Sequence, residues 1–355
     1  MTAISETPAP REATIFQPPS PLRTAVLFLI FNRPQVTETV FRAIRAARPP
    51  RLYVAADGAR SHKAGEAEKC ALTRRVIEQV DWPCEVFTLF RDTNLGCRAA
   101  VSGAISWFFE HEEEGIILED DCLPVPSFFW FCEELLSRYR HDERIGQISG
   151  TAFFADEFLN TATTDYIYSR HFAIWGWATW RRVWKTYDHS LSLWPEFSRE
   201  RLLPAAYPVK NERMARSLHN DKVLNNTVDT WDYQWTFANA SQSKLAVVPR
   251  SNLIVNIGFG DDATHTTFRH PVAPLSASDI ALPTTPPTFV HPDFVYDRSL
   301  SRRLYRGLFL SKVDSVVSRL RDRQFLRAKS RALDRAIKAC LKIRERPDHP
   351  DRHRH

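Results

Sequence analysis

Between residues 25 and 149 the chain alternates short apolar runs with stretches of helical spacing. The apolar runs are 25–31 (AVLFLIF), 52–56 and 115–119 (GIILE), with an alternating strand over 85–90 and a fifth strand over 145–149. The intervening stretches predict helices over 36–46, 66–80, 98–110 and 127–140. The first run contains no polar residue, as a strand covered on both faces requires. Strands separated by helices of this length are joined by right-handed crossovers and pair in parallel. The expected fold is therefore α/β, with a mostly parallel, Rossmann-like sheet flanked by helices. Ligands in such sheets sit beyond the carboxyl ends of the strands. Those ends carry Asn32-Arg33, Asp57-Gly58, residues 91–94 and Asp120-Asp121.

Flanking segments set the expected boundaries. Residues 1–22 are proline-rich with few apolar residues and read as a disordered lead-in. Residues 23–270 read as the folded domain, with a ligand-binding half over 23–150 and a second half over 151–270. A Pro/Ser/Thr-rich stretch over 271–297 reads as a linker or an extended wrap over the surface. Residues 298–355 read as a basic helical tail, with Phe309, Val313, Val316 and Leu320, then Leu333, Ile337 and Leu341, at helical spacing. This tail holds 18 Lys/Arg against 6 Asp/Glu, so the net charge of +6 conceals a mildly acidic body. Nucleic acid is not an expected partner for such a body. A basic amphipathic tail suits either docking on the domain or an anionic membrane surface.

Composition removes several classes. With 11 glycines the chain has neither a P-loop nor a dinucleotide fingerprint. Six cysteines without C-x-x-C spacing read as free thiols in a reducing compartment. No signal peptide or spanning segment is read near the start. The expected location is cytoplasmic, with peripheral attachment to the inner membrane face as the tail's contribution.

The sharpest chemical feature is Glu119-Asp120-Asp121. Three consecutive carboxylates closing a buried strand repel one another and are costly to desolvate without a cation. Alternation along a strand prevents Asp120 and Asp121 from facing one ion together. One can bind Mg²⁺ or Mn²⁺ through oxygen while its neighbour accepts hydroxyl hydrogen bonds. The upstream Glu112-Glu113-Glu114 run reads instead as a solvated acidic turn. Phe172, Trp175, Trp177, Trp180 and Trp184 form the densest aromatic cluster. The spacing of 177, 180 and 184 puts them on one helical face, as core packing.

Residues 25–140 resemble the nucleotide-binding half of a GT-A glycosyltransferase, especially N-acetylglucosaminyltransferase I and bacterial family 2-like relatives. The resemblance rests on the apolar strand into Asn32-Arg33, the strand into Asp57-Gly58, Asn94-Leu95-Gly96 before a helix, and Glu119-Asp120-Asp121. The following stretch, residues 122–129 (CLPVPSFF), matches the family's acid-acid-x-x-x-x-P-x-F-F pattern. It is strong over about 25–190, looser over 229–267, and silent on both termini.

This resemblance implies a metal-dependent transferase moving a sugar from a nucleoside diphosphate donor, with UDP as the expected nucleotide, to a glycan or lipid-linked acceptor with inversion. By position it implies Asp57 on the uracil, Arg33 on the diphosphate, Glu119 on the transferred sugar, Asp120 on the ribose and Asp121 on Mn²⁺ or Mg²⁺. Arg98 is a further donor-side position, with a helix-surface arginine as the competing reading. Residues 229–235 (DTWDYQW) resemble the family segment that holds the general base. Asp232 is the matching position, one residue out of register with the family's second acid, so Asp229 stays open as the alternative; a helix cap is the structural reading of Asp232. His265, after a glycine-containing loop, is a second metal-side position, and Asp261-Asp262 reads as a turn or a second metal pair. Trp175 and Trp177 around Gly176 resemble the acceptor-side segment. The competing functional class is a non-catalytic carbohydrate-binding or membrane-interaction protein on the same fold.

Overall fold

The structure is a computed structural model that describes residues 16–159, 163–258 and 275–305. The chain divides into a compact unit over Met1–Leu304 and a second over Tyr305–His355; of the second, only Tyr305 is among the described residues.

In chain order the strands are β1 (Val26–Ile30), β2 (Arg51–Ala56), β3 (Glu85–Phe90), β4 (Glu114–Glu119), β5 (Cys122–Pro124), β6 (Ile145–Ser149), β7 (Tyr166–Ser169), β8 (Trp177–Trp180), β9 (Leu245–Pro249) and β10 (Ile254–Asn256). The helices are α1 (Pro34–Ala47), α2 (Glu66–Arg74), α3 (Gly96–His111), α4 (Ser127–Tyr139), α5 (Ala155–Phe158), α6 (Arg181–Trp184), α7 (Trp194–Arg199), α8 (Leu203–Ala206), α9 (Lys210–Leu224), α10 (Asp232–Ser241) and α11 (Phe294–Leu304). A 3₁₀ turn over Arg75–Gln79 follows α2, so the helix expected to reach residue 80 tightens at its end.

Eight strands form one sheet in the order β3-β2-β1-β4-β8-β6-β9-β7. The pairs β1–β2, β2–β3, β1–β4 and β6–β9 are parallel, whereas β8 and β7 run antiparallel to their neighbours. This is a mainly parallel α/β sheet flanked by helices, consistent with the Rossmann-like GT-A arrangement that the resemblance implies. β1 is buried at all five positions because its two faces meet separate helical layers, as an uninterrupted apolar run requires. α1 begins at Pro34, which lacks the N–H that a first helical turn leaves unpaired. Its Val40, Phe41 and Ile44 belong to the same core as β1.

The aromatic cluster departs from the helical expectation. Trp177 and Trp180 lie on β8, with Trp177 opposite Ile117 of β4, and only Trp184 lies on a helix, α6. The i, i+3 spacing of 177 and 180 imitates a helix because β8 is buried along its whole length and shows no alternation. The Glu112-Glu113-Glu114 run is solvated only at Glu113. Glu112 is buried and accepts from Arg51 Nε at 2.6 Å and from the Tyr53 hydroxyl at 3.0 Å; Glu113 pairs with Arg181, and Glu114 with Arg140.

Residues 275–293 run along the body: Ser278 N–H donates to the Asn252 carbonyl, and Ile280 joins the core. α11 spans the 297/298 boundary that charge suggested, and buries Tyr296, Asp297, Leu300 and Ser301. Among the described residues no helix is long and apolar enough to cross a membrane. Cys70, Cys84, Cys97, Cys122 and Cys132 are unpaired.

Candidate active site

β4 ends in Glu119, and the chain turns at Asp120-Asp121 into β5. The Arg33 guanidinium, carried to the same edge by the end of β1, contacts both aspartates: Nη2 donates to Asp120 Oδ1 and, at 3.1 Å, to Asp121 Oδ2. One arginine thus serves two carboxylates, and Glu119 has none. Glu119 Oε1 and Asp120 Oδ2 are buried without a hydrogen-bond partner. Burial, reinforced by Asp121 and Asp120, pushes the Glu119 carboxyl well above the usual range. Burial likewise pushes Asp120 up to about 6, against the pull of Arg33.

Three carboxyl groups share one guanidinium, so their ionised forms are under-compensated, and buried oxygens without donors are the expected mark of a site built for a cation or for donor hydroxyls. The residues present fit a divalent cation of oxygen preference. A cradle beside Asp121 supports that fit: a Cβ added at Gly258 would lie 2.2 Å from Asp121 Oδ2 and 2.8 Å from Arg33 Nη1. The Gly258 loop is held there by Ile257 N–H, which donates to the Asp121 carbonyl at 2.8 Å. Among the described residues no group of three or more His, Cys, Asp and Glu is arranged to hold a metal ion unaided. His265 and Asp261-Asp262 lie outside the described residues.

The other predicted positions divide sharply. Asp57 spends its carboxylate on the loop before α3, accepting from Asn94 Nδ2 at 2.9 Å, Leu95 N–H at 3.0 Å and Gly96 N–H at 3.1 Å. Asp229 takes the next two amides, Cys97 N–H at 2.7 Å and Arg98 N–H at 3.0 Å. Two carboxylates from distant segments therefore satisfy four consecutive donors at the positive end of α3. Gly96 permits this approach: its φ is +81°, and a Cβ would lie 2.5 Å from Asp229 Oδ2. Arg98 is anchored away from β4, with Nη1 donating to Asn226 Oδ1 at 3.2 Å and Nη2 to the Val228 carbonyl at 2.6 Å. Beside it opens a cleft of about 460 Å³ lined by Arg98, His189 and residues 226–229.

Asp232 is the first residue of α10, and its Oδ1 accepts from Thr230 Oγ1. Burial pushes its carboxyl above the ordinary value. Thr230, Cys97 and Gly258 had been given no role from sequence. Cys97 lies among the acids; burial and then the charges of Glu119, Asp229, Asp232 and Asp57 push its thiol up. Its position after Asn94-Leu95-Gly96 was the one available signal. Glu66 was also missed: buried at the end of β1, it binds Asn32 Nδ2 at 2.8 Å and the Arg60 backbone N–H at 2.8 Å.

The acceptor-side tryptophans separate. Trp177 is fully buried, its ring 5.8 Å from Trp231 and 5.2 Å from Trp235, so it offers no face to a sugar. Its expected acceptor contact gives way to core packing. Trp175 is half-buried and meets Phe153 edge-on at 5.4 Å.

No family model matches the chain, and no curated protein sequence matches it. Among solved structures, an apo UDP-glucose pyrophosphorylase overlaps 66% of this chain and 93% of its own at 9% identity and a TM-score of 0.33. Glucosyl-3-phosphoglycerate synthase from Mycobacterium tuberculosis, solved with Mn²⁺, UDP and glucosyl-3-phosphoglycerate, overlaps 50% and 66% at 13% identity and a TM-score of 0.27. HddC from Yersinia pseudotuberculosis overlaps 48% and 83% at 10% identity and a TM-score of 0.29. At TM-scores below 0.5 these overlaps bear on neither the site nor the reaction.

Proposed function

We propose that the chain is a metal-dependent glycosyltransferase that moves a sugar from a nucleoside diphosphate donor, UDP by preference, to an acceptor hydroxyl with inversion. The observation that carries this reading is the under-compensated acid triplet Glu119-Asp120-Asp121, with Asp120 buried and its neighbours half-buried, at the carboxyl edge of a parallel sheet.

In this reading Asp121 would hold Mn²⁺ or Mg²⁺ with donor oxygens and water, and His265 is retained as a second proposed ligand. When bound, the cation would supply charge to offset the negative charge of the leaving diphosphate. Arg33, released from part of its pairing with the aspartates, adds a second positive charge on the same side. Asp120 Oδ2 and Glu119 Oε1, both without donors, accept hydroxyls of the ribose and of the transferred sugar. Asp57 acts on the nucleotide side by fixing residues 94–96, and Arg98 by tying that loop to residues 226–229.

Asp232 is the proposed base. Thr230 binds Oδ1, and the carboxylate takes the proton of the acceptor hydroxyl as that oxygen attacks the sugar and the diphosphate leaves. Desolvation makes the carboxylate a stronger base than one in water. Trp175 is the remaining proposed acceptor-side ring; the acceptor itself is a glycan or a lipid-linked sugar. The basic tail, of which residues 298–305 are described, is proposed to favour an anionic membrane surface on the cytoplasmic side.

Two measurements test the reading together. Thermal unfolding of the full chain with UDP should shift upward with Mn²⁺ present and not with chelator. A panel of UDP-sugars should release UDP only in the presence of the metal, and Asp121→Ala should abolish both effects. Metal-independent turnover, or no nucleotide binding with either cation, would overturn it.

A further inference from the structure

The three most exposed large apolar side chains among the described residues fall within seven positions of one another: Phe289 at 77%, Val295 at 70% and Phe294 at 55%. Phe289 ends the stretch that wraps the body, and the other two open α11. The outward face of α11 continues with Arg298, Arg302 and Arg303, all exposed, and the Arg298 guanidinium lies 5.7 Å from the centre of the Phe294 ring. Apolar tips at one end of a helix are thus followed by three exposed arginines, of which Arg298 lies over Phe294 and Arg303 over Phe154 at 5.1 Å.

This face is rigidly backed. Asp297 accepts from Ser169 Oγ at 2.6 Å, and Ser301 Oγ donates to Glu212 Oε2 at 2.7 Å while lying 3.1 Å from His171 Nε2. Tyr296 and Leu300 fill a small core with Ile167 and Val248. The inner face therefore cannot turn outward to exchange places with the exposed residues. Holding two phenylalanines and a valine in water beside fixed arginines costs free energy that an interfacial partner would recover.

We propose that Phe289, Phe294 and Val295, rimmed by Arg298, Arg302 and Arg303, form an insertion surface for an anionic phospholipid bilayer. Side chains that protrude from a convex helix end suit the boundary between headgroups and acyl chains, and guanidinium groups beside them pair with lipid phosphate. A nucleic-acid duplex would pair its phosphates with the arginines and leave the aromatic rings in water. The sequence that follows, residues 306–355, adds 15 Lys/Arg against 6 Asp/Glu, the same sign of charge. This surface is independent of the proposed reaction, since none of its residues belongs to the acid site.

The test is co-sedimentation of the full chain with phosphatidylcholine vesicles, made with and without phosphatidylglycerol. The parent should bind the anionic vesicles and not the neutral ones. Replacing Phe289, Phe294 and Val295 together by serine should weaken partition by about tenfold or more, with an unchanged unfolding midpoint. Phe289→Ser alone, outside α11, should weaken it in the same direction and repeats the test without touching the helix. Replacing Arg298, Arg302 and Arg303 by glutamine should lower the preference for phosphatidylglycerol. Equal sedimentation of the parent and both serine variants would assign binding elsewhere and overturn the proposal. So would a parent that binds no vesicles, or a parent dimer that the serine triple variant dissociates in sedimentation velocity, since a second copy would then cover the surface.

Discussion

Asp229 Oδ2 accepts the Cys97 backbone N–H at 2.7 Å, across 132 residues of sequence. This bond divides the two acids that had competed for the role of base. Asp229 spends both oxygens on the start of α3, whereas Asp232, three residues on, is half-buried with one oxygen bound by Thr230.

Asp232→Asn should lower turnover by roughly 10²–10⁴ with little change in donor affinity, because the amide keeps the shape and loses the proton acceptor. Asp229→Ala should instead cost about 0.5–2 kcal/mol of stability, the range for a lost helix cap, with a far smaller effect on turnover. Paired chemical denaturation and initial-rate measurements separate the two. The reverse pattern would transfer the base to Asp229.

Gly258→Ala tests the cradle beside Asp121. The added Cβ would sit 2.2 Å from Asp121 Oδ2, against a loop held by the Ile257–Asp121 backbone bond. Metal-dependent nucleotide binding should fall sharply in titration calorimetry while the unfolding midpoint stays close to that of the parent. Undiminished binding would place the cation elsewhere.

Legibility in the sequence followed how local each determinant was. β1, β2 and β4 were readable because each is an apolar run closed by a polar break, as burial on both faces demands, and β3 because its residues alternate at the edge of the sheet. β8 was misread because a strand buried throughout has no alternation, and tryptophans at 177 and 180 imitate a helical face. The acid triplet stood out because carboxylates closing a buried strand are unfavourable unless something compensates them. By contrast, nothing near Gly258 announces its approach to Asp121, and nothing near Asp229 announces that its partner amides lie on α3. Those relationships exist only after the chain has closed long loops.

Glu66 offers a pH test separate from the acid triplet. The Arg60 side chain, then the Arg60 backbone N–H and Asn32, hold its carboxyl at about 2 against burial. An unfolded carboxyl protonates near 4.5, so the folded state binds fewer protons between these values. The contribution is whole above pH 4.5 and is lost as pH falls toward 2; at pH 7 it amounts to roughly 2–3 kcal/mol. The stability gap between parent and Glu66→Gln, measured by urea denaturation, should therefore be constant from pH 7 to 5 and shrink below 4.5. A gap that does not narrow on acidification would show that the ion pair is not its source.

The two tryptophans flanking Gly176 should respond in opposite ways. Trp177 is enclosed by Trp231 and Trp235, and Trp235 is itself fixed by its Nε1 donating to Gln147 Oε1 at 2.7 Å. Removing the Trp177 indole opens a cavity in the layer that supports α10, so Trp177→Ala should cost about 3–5 kcal/mol. Turnover would then fall in proportion to the folded fraction. Trp175 is half-buried beside Phe153, and its truncation removes less packing. Trp175→Ala should leave the unfolding midpoint nearly unchanged while raising the acceptor KM, with the donor KM unaffected. Denaturation curves and acceptor saturation at fixed donor distinguish these outcomes. An unchanged acceptor KM in Trp175→Ala would remove Trp175 from the acceptor site and leave both rings as packing.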